Sequence, residues 1–417
     1  MDIKSIEEAE KVLKSFIPKV AKYTGDDMSL TRMWPMLAAV GNPHQNLKVI
    51  HIAGTSGKTS TAYYMSALLV SAGHKVGLTV SPHVDSIKER LQINTQLLSD
   101  DEFSGLFDEF MGLTDFDALS PSYFELMIVF VYWALNRLGV DYAVIETGLG
   151  GLVDGSNVAQ REDKVCIITD IGIDHVQVLG SDISGIAEQK AGIIHADNTV
   201  FMYSQSSSVM SSVRSRVNRV GAALHEFDQA TVEASSQNDI AKLPSFQKRN
   251  WLLAKEAFQF IATRDSFDTG DSRGAMDVVV PGRMQQYERP DGSLLIMDGA
   301  HNKQKMNAFV SSFTEKYPGV KATILLSFKK GKEFEGAIDA LSEIVSDLII
   351  TTFNTSQDMP AVSQDPEVVL RYCRTKGIYC SVETDNSKAL ELLLSSGSKM
   401  KIITGSFYLL SEIRSQL

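Results

Sequence analysis

The sequence predicts an α/β protein in which a P-loop parallel-sheet domain is followed by a smaller, Rossmann-like α/β C-terminal domain. Apolar, β-branched segments alternate with helical patterns along most of the chain, as expected for a parallel sheet covered by helices. A loop rich in Gly, Ser and Thr follows the first strand of the sheet, and the strand pattern restarts near residues 281–286. We therefore predict that the domains span residues 1–283 and 284–417.

Composition narrows the class of protein. A chain of 417 residues with 44% hydrophobic and 22% charged residues is ordinary for a soluble protein of two or three domains. The net charge of −11 argues against a broad nucleic-acid-binding surface, and the three cysteines form no C-x-x-C pair, which fits a reducing compartment. The N-terminus lacks the apolar core of a signal peptide, and no apolar run approaches the ~20 residues of a membrane span. We expect a cytoplasmic monomer that binds neither nucleic acid nor membranes.

The first domain begins with a predicted amphipathic helix from Ile6 to Tyr23, where apolar side chains recur at helical spacing. Residues 47–54 form an apolar, β-branched run that ends in glycine, and this pattern predicts a buried strand. The segment 60–73 is rich in helix formers and stops at a glycine, whereas residues 205–245 are Ser-rich and weakly patterned. The other elements predicted for this domain are a helix at 123–138 and strands within 140–151, 164–172 and 198–204.

The second domain repeats the alternation after a polar, glycine-bearing segment at 264–277. A strand pattern restarts there, and a turn is predicted at Pro290-Asp291-Gly292. The predicted strands are 294–298, 321–327, 347–353, 378–382 and 400–404, and the predicted helices are 302–316, 332–345, 365–376 and 386–396. This alternation predicts a second parallel sheet in a unit of about one domain's size.

The stretch from His51 to Thr61, HIAGTSGKTST, is similar to a phosphate-binding loop but has an unusual length. The common loop is G-x-x-x-x-G-K-[ST], whereas the only upstream glycine of this stretch is Gly54. We expect backbone N–H groups between Gly54 and Thr59 to point at phosphate oxygens. Lys58 would reach the terminal phosphates, and the Thr59 hydroxyl would be placed for Mg²⁺. The alternative is an ordinary strand-to-helix turn with a capping threonine.

Two polar residues follow predicted buried strands: Glu146 ends the run DYAVIE, and His175 lies just past VCIITDIGID. Mg²⁺ bound to a nucleotide needs hard oxygen ligands, and ligand crevices of α/β sheets lie at the carboxyl ends of strands. Both residues are therefore candidates for a metal site. Taken singly, a Glu after a strand is more often a solvated or capping group, and a lone His is usually structural. The loop beside them favours the metal site.

Nine segments, from about Leu30 to Leu410, occur in an order that resembles the folylpolyglutamate synthase family. They are GNPHQNLKVIHIAGTSGKTST, SPHVDSIKERLQIN, YFE, ETGLGGLVDGSN, DHVQVLG, IAEQKAGI, PGR, MDGAHN and ITGSFYL. Members of this family are ATP-dependent carboxylate–amine ligases of the Mur ligase superfamily, often bifunctional with dihydrofolate synthase, and the short loop G-T-x-G-K-[ST] is the superfamily's own form. Peptidoglycan Mur ligases resemble the chain in the loop but not in SPH and DGAHN.

The resemblance implies a ligase that uses ATP and Mg²⁺ to add L-glutamate to folate, and in bifunctional members also to dihydropteroate. The residues that it assigns to ATP are Gly54, Thr55, Ser56, Gly57, Lys58, Thr59, Ser60, Gln247, Asn250, Arg283, Asp298 and His301. Those that it assigns to Mg²⁺ are Thr59, Ser81, Glu146 and His175, and those assigned to the substrate are Ser81, Pro82 and His83. The catalytic residues that it implies are Lys58, Lys190, His175 and Arg283.

Some implied roles leave alternatives open. Lys190 matches a lysine that is carbamylated in the family, but it could instead pair with a phosphate or a carboxylate. Leu152 replaces a common arginine, and DGSN at 154–157 stands for the usual D-A-T-N, which weakens inferences about loop geometry and exact substrate. Two functions compete with this one: ligation of another carboxylate substrate, and a nucleotide-dependent switch. A GTPase switch would need an N-K-x-D-type segment, and the sequence contains none.

Overall fold

The structure is a computed structural model that describes residues 3–17, 29–228, 240, 243–356, 360–414 and 416–417. The chain separates into two compact units. One comprises Met1–Leu243 and Gln247–Val278, and the other comprises Pro244–Phe246 and Val279–Leu417. The division predicted at residues 283 and 284 lies close to this change of unit and stays a prediction.

The first unit is built on one sheet. Its strands are β1 (Val49–Ala53), β2 (Val76–Thr79), β3 (Gln92–Ile93), β4 (Gln96–Leu97), β5 (Tyr142–Glu146), β6 (Val165–Ile168), β7 (Thr199–Tyr203) and β8 (Ala223–Phe227). They lie in the order β4-β3-β2-β5-β1-β6-β7-β8, and all neighbours are parallel except at the β2-β3-β4 edge. Strands β1, β5 and β6 are buried at every position, as expected for central parallel strands covered on both faces.

Helices surround this sheet. They are α1 (Ile6–Ser15), α2 (Met33–Ala39), α3 (Lys58–Ser71), α4 (Asp100–Met111), α5 (Phe116–Leu119), α6 (Tyr123–Arg137), α7 (Val176–Leu179), α8 (Ile183–Ala191), α9 (Ser207–Val220) and α10 (Ser245–Asp265). Helices α4 and α6 begin at capping boxes, in which Ser99 pairs with Glu102 and Ser122 pairs with Glu125. Each box gives acceptors to otherwise unpaired amides at the helix start, which fixes where the helix begins.

Helix α6 forms the centre of an aromatic core. Its Phe130 and Trp133 pack with Phe103, Phe107 and Phe110 of α4, with ring centroids 5.1–6.4 Å from Phe130 or Phe110. The apolar run at 126–135 is therefore a buried core helix. In the described part of the chain, no helix combines the length and apolar character needed to cross a membrane.

The second unit contains a six-stranded sheet and a small hairpin. The strands are β9 (Gln285–Glu288), β10 (Leu294–Met297), β11 (Ala322–Leu326), β12 (Val345–Ile350), β13 (Asn354–Ser356), β14 (Pro360–Val362), β15 (Cys380–Val382) and β16 (Met400–Thr404). The helices are α11 (Lys303–Lys316), α12 (Glu335–Leu341), α13 (Pro366–Thr375), α14 (Asn386–Ser395) and α15 (Phe407–Arg414). The sheet order is β15-β12-β11-β16-β10-β9, with only β9 antiparallel, and β13 pairs with β14.

The predicted class, parallel-sheet α/β in both parts of the chain, is confirmed. Among the described residues the predicted N-terminal helix ends at Ser15, and residues 18–23 of that prediction lie outside them. The weakly patterned region at 205–245 holds α9 and β8, and its residues 229–239 and 241–242 lie outside the described ranges. Strand β8 is only half-buried at the sheet edge, and serines are spread along α9, so neither carries a strong apolar period.

Candidate functional site

The loop between β1 and α3 is shaped by two glycines and one asparagine. Gly57 caps α3 with a left-handed backbone (φ 94°), a conformation that favours glycine. A Cβ at this position would lie 2.3 Å from Oδ1 of Asn250, so the Asn250 side chain packs directly on the loop. Gln247 lies three residues earlier on α10, on the same helical face as Asn250. The structure thus places one of the two residues predicted from the QKRN segment against the loop.

The amides of the loop divide into two groups. The N–H groups of Thr55 and Ser56 donate to the carbonyl oxygen of Asp170, at 2.8 and 3.1 Å. The expectation that every amide from Gly54 to Thr59 points at phosphate is therefore wrong for these two, because the chain after β6 already occupies them. Helix α3 begins at Lys58, and the N–H groups of its first turn have no acceptor within the helix. These first-turn amides form the anion cradle that remains.

Two lysine ammonium groups converge on one carbonyl of the loop. Nζ of Lys58 donates to the Gly54 oxygen at 3.1 Å, and Nζ of Lys190, a residue only 5% exposed, donates to the same oxygen at 2.9 Å. The two ammonium nitrogens are thus at most about 6 Å apart, and at an effective dielectric of ~20 they repel by roughly 3 kcal/mol. A phosphate bound beside them would replace this repulsion with attraction. Carbamylation of Lys190 stays a prediction.

Orphaned hydroxyls also mark the loop. The Oγ atoms of Ser56 and Ser60 are buried and have no hydrogen-bond partner among the described residues. Buried hydroxyls normally have a partner, so each unpaired one calls for an explanation such as a ligand. Together with the first-turn amides and the two lysines, these hydroxyls fit the loop to a nucleotide's phosphates.

Three predicted metal ligands meet at Glu146. This carboxylate is 2% exposed, and it accepts a hydrogen bond from the Thr59 hydroxyl at 3.0 Å and one from the Ser81 backbone N–H at 3.2 Å. A buried carboxylate beside the Thr59 hydroxyl offers hard oxygen donors, which is the donor chemistry that Mg²⁺ requires. The residues present therefore fit Mg²⁺, while its presence in this protein stays a prediction.

His175 has a different setting. Its side chain is about half exposed, its backbone is left-handed (φ 52°), and its backbone N–H donates to Oδ1 of Asp174 at 2.8 Å. Its Nε2 lies 4.0 Å from Oδ2 of Asp174. In the described ranges no group of three or more His, Cys, Asp and Glu side chains is arranged to hold a metal ion. A magnesium ion would therefore rely on nucleotide phosphates and water for several ligands, as it usually does.

The Ser81-Pro82-His83 segment, predicted to line the substrate site, is held by buried charged residues. Nε of Arg90 donates to Nδ1 of His83 at 2.9 Å, and both side chains are buried. Glu89 accepts hydrogen bonds from the backbone N–H groups of residues 84, 85 and 86, at 2.6–3.1 Å. These contacts give the segment a fixed conformation on the rim of β2.

The segment after Glu146 is organised by a buried acid. Asp154 accepts hydrogen bonds from the N–H groups of Leu149 at 2.7 Å and Ser156 at 3.0 Å, and burial raises the pKa of its carboxyl. The Ser156 hydroxyl also lies 3.0 Å from Nε2 of His51, whose burial in β1 lowers its pKa well below 6.5. The DGSN segment, which differs from the family's usual D-A-T-N, is thus hydrogen-bonded through Ser156 to His51 of β1, the strand that leads into the loop.

The predicted residues of the second unit cluster around one aromatic ring. The Arg283 guanidinium lies 4.3 Å from the ring centroid of Phe407, and a Cβ on Gly282 or Gly299 would come within 3.0 Å of that ring. His301 places its own ring 6.3 Å from Phe407. Phe407 is therefore the platform on which Arg283 and His301 are held.

Asp298 and His301 are both fixed by the backbone around them. The two oxygens of buried Asp298 accept from the N–H groups of Met284 at 2.9 Å and Ala300 at 2.8 Å, and burial raises the pKa of this carboxyl. Nδ1 of His301 donates to the Gly299 carbonyl at 2.9 Å, which leaves Nε2 to accept from Nζ of Lys305 at 3.1 Å. These bonds fix the turn in which His301 is presented.

Comparisons with known proteins show which proteins the chain is similar to. A family model described as the C-terminal domain of dihydrofolate synthetase matches residues 284–416. The dihydrofolate synthetase of Saccharomyces cerevisiae is 27% identical over 414 residues, covering 93% of this chain and 97% of the yeast protein. The dihydrofolate synthase/folylpolyglutamate synthase of Bacillus subtilis is 26% identical over 430 residues, covering 93% and 94%. A structure of Mycobacterium tuberculosis folylpolyglutamate synthase, complexed with ADP and AMPPCP, has a TM-score of 0.83 at 25% identity and covers 100% of this chain and 99% of its own.

Over nearly its whole length the chain is similar to dihydrofolate synthases and folylpolyglutamate synthases. The resemblance inferred from the nine segments is therefore confirmed, although the roles of individual residues stay predictions. Family motifs did not point to several residues that organise the site: Arg90, Asp154, Asp170, Arg249 and Phe407. A sequence signal was available for three of them, because Arg90 lies in SPHVDSIKERLQIN, Asp154 in ETGLGGLVDGSN and Phe407 in ITGSFYL.

Proposed function

We propose that this protein is an ATP-dependent ligase that joins L-glutamate to a folate-type carboxylate. The acceptor would be the γ-carboxylate of folate, as in folylpolyglutamate synthases, or dihydropteroate, as in dihydrofolate synthases. The observation that carries the proposal is the loop itself, which combines first-turn amides of α3, two lysine ammonium groups on the Gly54 carbonyl, and two buried hydroxyls without a partner among the described residues. The names of the relatives support the substrate class.

The chemistry requires an activated carboxylate. A carboxylate oxygen of the acceptor attacks the γ-phosphorus of ATP, the bond between that phosphorus and the ADP oxygen breaks, and an acyl phosphate forms. The amine of glutamate then attacks the acyl carbon, phosphate leaves, and the nitrogen loses a proton. Phosphoryl transfer depends mainly on positioning and on neutralising charge. Lys58 and the amides at the start of α3 would hold the phosphates in line for the first step.

Residues of this chain would also organise the ion that accompanies ATP. Glu146, Thr59 and Ser81 would hold Mg²⁺, with His175 as a predicted further ligand, and bound Mg²⁺ would neutralise charge on the phosphates. The resemblance to the family also implies that Arg283 contacts the phosphates and that Asp298 and His301 contact the nucleotide, and these three roles stay predictions. Action in the cytoplasm, as a monomer and without nucleic-acid or membrane partners, stays a prediction from composition.

An assay of the purified protein tests the proposal. The protein is incubated with ATP, Mg²⁺ and L-glutamate together with dihydropteroate, tetrahydrofolate or a tetrahydrofolyl-glutamate, each alone, and ADP and the conjugate are measured. We expect ADP formation that requires both glutamate and one acceptor, and the identity of the productive acceptor assigns one activity or both. Lys58→Ala should abolish the product while the protein stays folded by circular dichroism. ADP formation that ignores glutamate and every acceptor would instead favour a nucleotide switch.

A further inference from the structure

The segment that follows β6, residues 170–172, is hydrogen-bonded to the loop between β1 and α3. Asp170 is the residue whose carbonyl accepts from the N–H groups of Thr55 and Ser56, at 2.8 and 3.1 Å. Two residues later, the carbonyl of Gly172 accepts from the Thr55 hydroxyl at 2.9 Å. The Thr55 hydroxyl also accepts from the Gly172 N–H at 3.1 Å, so four hydrogen bonds join the two segments, and the path of residues 170–172 therefore decides where the loop lies.

The Asp170 side chain is itself held by an arginine of α10. Nε of Arg249 donates to both carboxylate oxygens at 3.0 Å, and Nη2 donates to Oδ1 at 2.7 Å. The guanidinium also stacks on the Tyr203 ring, 4.1 Å from its centroid, and the Arg249 side chain is only 17% exposed. Charge-assisted, forked pairs of this kind fix orientation as well as adding attraction.

Helix α10 thus reaches the loop at two consecutive residues. Asn250 packs on Gly57 at the start of α3, and Arg249 binds the side chain of Asp170, whose carbonyl accepts from the N–H groups of Thr55 and Ser56. We propose that Arg249 is a positioning residue: through Asp170 it sets the conformation of the phosphate-binding loop and does not itself bind the nucleotide. This inference rests on the proposed function in one respect, which is that the loop holds ATP.

We predict that Arg249 and Asp170 both contribute to nucleotide affinity, and that they do so through the same interaction. Arg249→Met and Asp170→Asn should each weaken binding of Mg-AMPPCP about tenfold, and the double variant should be no weaker than the weaker single one, since contacting residues are coupled. Arg249→Lys, which keeps the charge but loses the fork, should fall between wild type and Arg249→Met. KM for ATP should rise in parallel, while KM for glutamate stays unchanged.

The control is a second forked pair in the same unit, Arg161 with Asp163, whose bonds are 2.8 and 2.7 Å long. Arg161→Met should leave Mg-AMPPCP affinity unchanged, which separates loss of a surface ion pair from displacement of the loop. Calorimetric binding and urea unfolding are measured on all variants. Binding does not require ligation, so a wild-type protein that binds Mg-AMPPCP but makes no conjugate would refute the proposed function and still test this inference.

Three results would overturn the inference. If Arg249→Met weakens binding while Asp170→Asn does not, Arg249 contacts the nucleotide directly. If the two losses add fully in the double variant, the residues do not act through one another. If Arg249→Met lowers the free energy of unfolding but leaves the Mg-AMPPCP affinity and KM for ATP unchanged, its role is structural only.

Discussion

Gly57→Ala tests whether the loop and α10 meet as the structure describes. The substitution carries two separate costs. An alanine in the left-handed backbone at φ 94° costs roughly 1–2 kcal/mol. Its Cβ would also lie 2.3 Å from Oδ1 of Asn250, and relieving such an overlap costs about 1–3 kcal/mol more. We therefore expect Gly57→Ala to lower the free energy of unfolding by about 2–5 kcal/mol.

The opposite end of the same helix supplies a matched control. Gly73 has nearly the same backbone angle (φ 89°), but a Cβ there would meet no atom within 4 Å. Gly73→Ala should therefore show the backbone cost alone. In an Asn250→Ala background, where the overlapping atoms are gone, Gly57→Ala should cost no more than Gly73→Ala. Urea unfolding of the five proteins followed by circular dichroism measures these differences.

The outcomes discriminate clearly. Equal costs for Gly57→Ala and Gly73→Ala in the wild-type background would refute the contact between Asn250 and the loop. A cost of Gly57→Ala that persists in the Asn250→Ala background would refute the assignment of the excess to this side chain. If the reasoning holds, Gly57→Ala should also weaken Mg-AMPPCP binding, because the first turn of α3 must shift to relieve the overlap.

Three further predictions concern charge and packing. Burial lowers the pKa of the His195 imidazole from 6.5 to about 3 in the folded protein. The stability that the neutral side chain contributes is therefore fully present above pH 6.5 and is lost as the pH falls towards 3. We expect the free energy of unfolding to be lower by about 1–2 kcal/mol at pH 5 than at pH 7. Urea midpoints at pH 7 and pH 5 should differ less in His195→Gln. Phe407→Leu should raise KM for ATP roughly two- to fivefold by removing the ring under Arg283, whereas Phe407→Tyr should not, and equal KM values in both would contradict the platform. Glu146→Gln should lower kcat at least ~100-fold and shift the Mg²⁺ titration of ADP formation upward, and an unchanged titration would exclude Glu146 as a ligand.

The sequence predicted those parts of the site that depend on neighbouring residues. A buried strand, a glycine-bearing loop and a helix follow one another between Val49 and Ser71, and each has a local signature in apolar run, glycine or helix former. Glu146 was predictable because it ends a strand, and parallel strands end at one edge of the sheet. The contact between Thr59 and Glu146 follows from β5 lying beside β1.

Other parts of the site depend on residues that are remote in the chain. Asp170 and Arg249 are 79 residues apart, and neither has a pattern that singles it out as a partner of the other. The same holds for the use of the Thr55 and Ser56 amides, which the sequence left free for phosphate but the Asp170 carbonyl occupies. Local patterns cannot show such partners, because a polar side chain or an amide has no periodic signal for what it will contact.

The sequence by itself determined the α/β class, the strand–loop–helix unit and the resemblance to a ligase family, because these depend on local periodicity and on short segments in fixed order. Only the tertiary structure decided which amides of the loop remain available, which ion pair holds the loop, and which ring lies against Arg283. The physical reason is the sheet order, in which β1 lies between β5 and β6. That order brings distant residues within hydrogen-bonding distance, and it is set by packing of the whole unit.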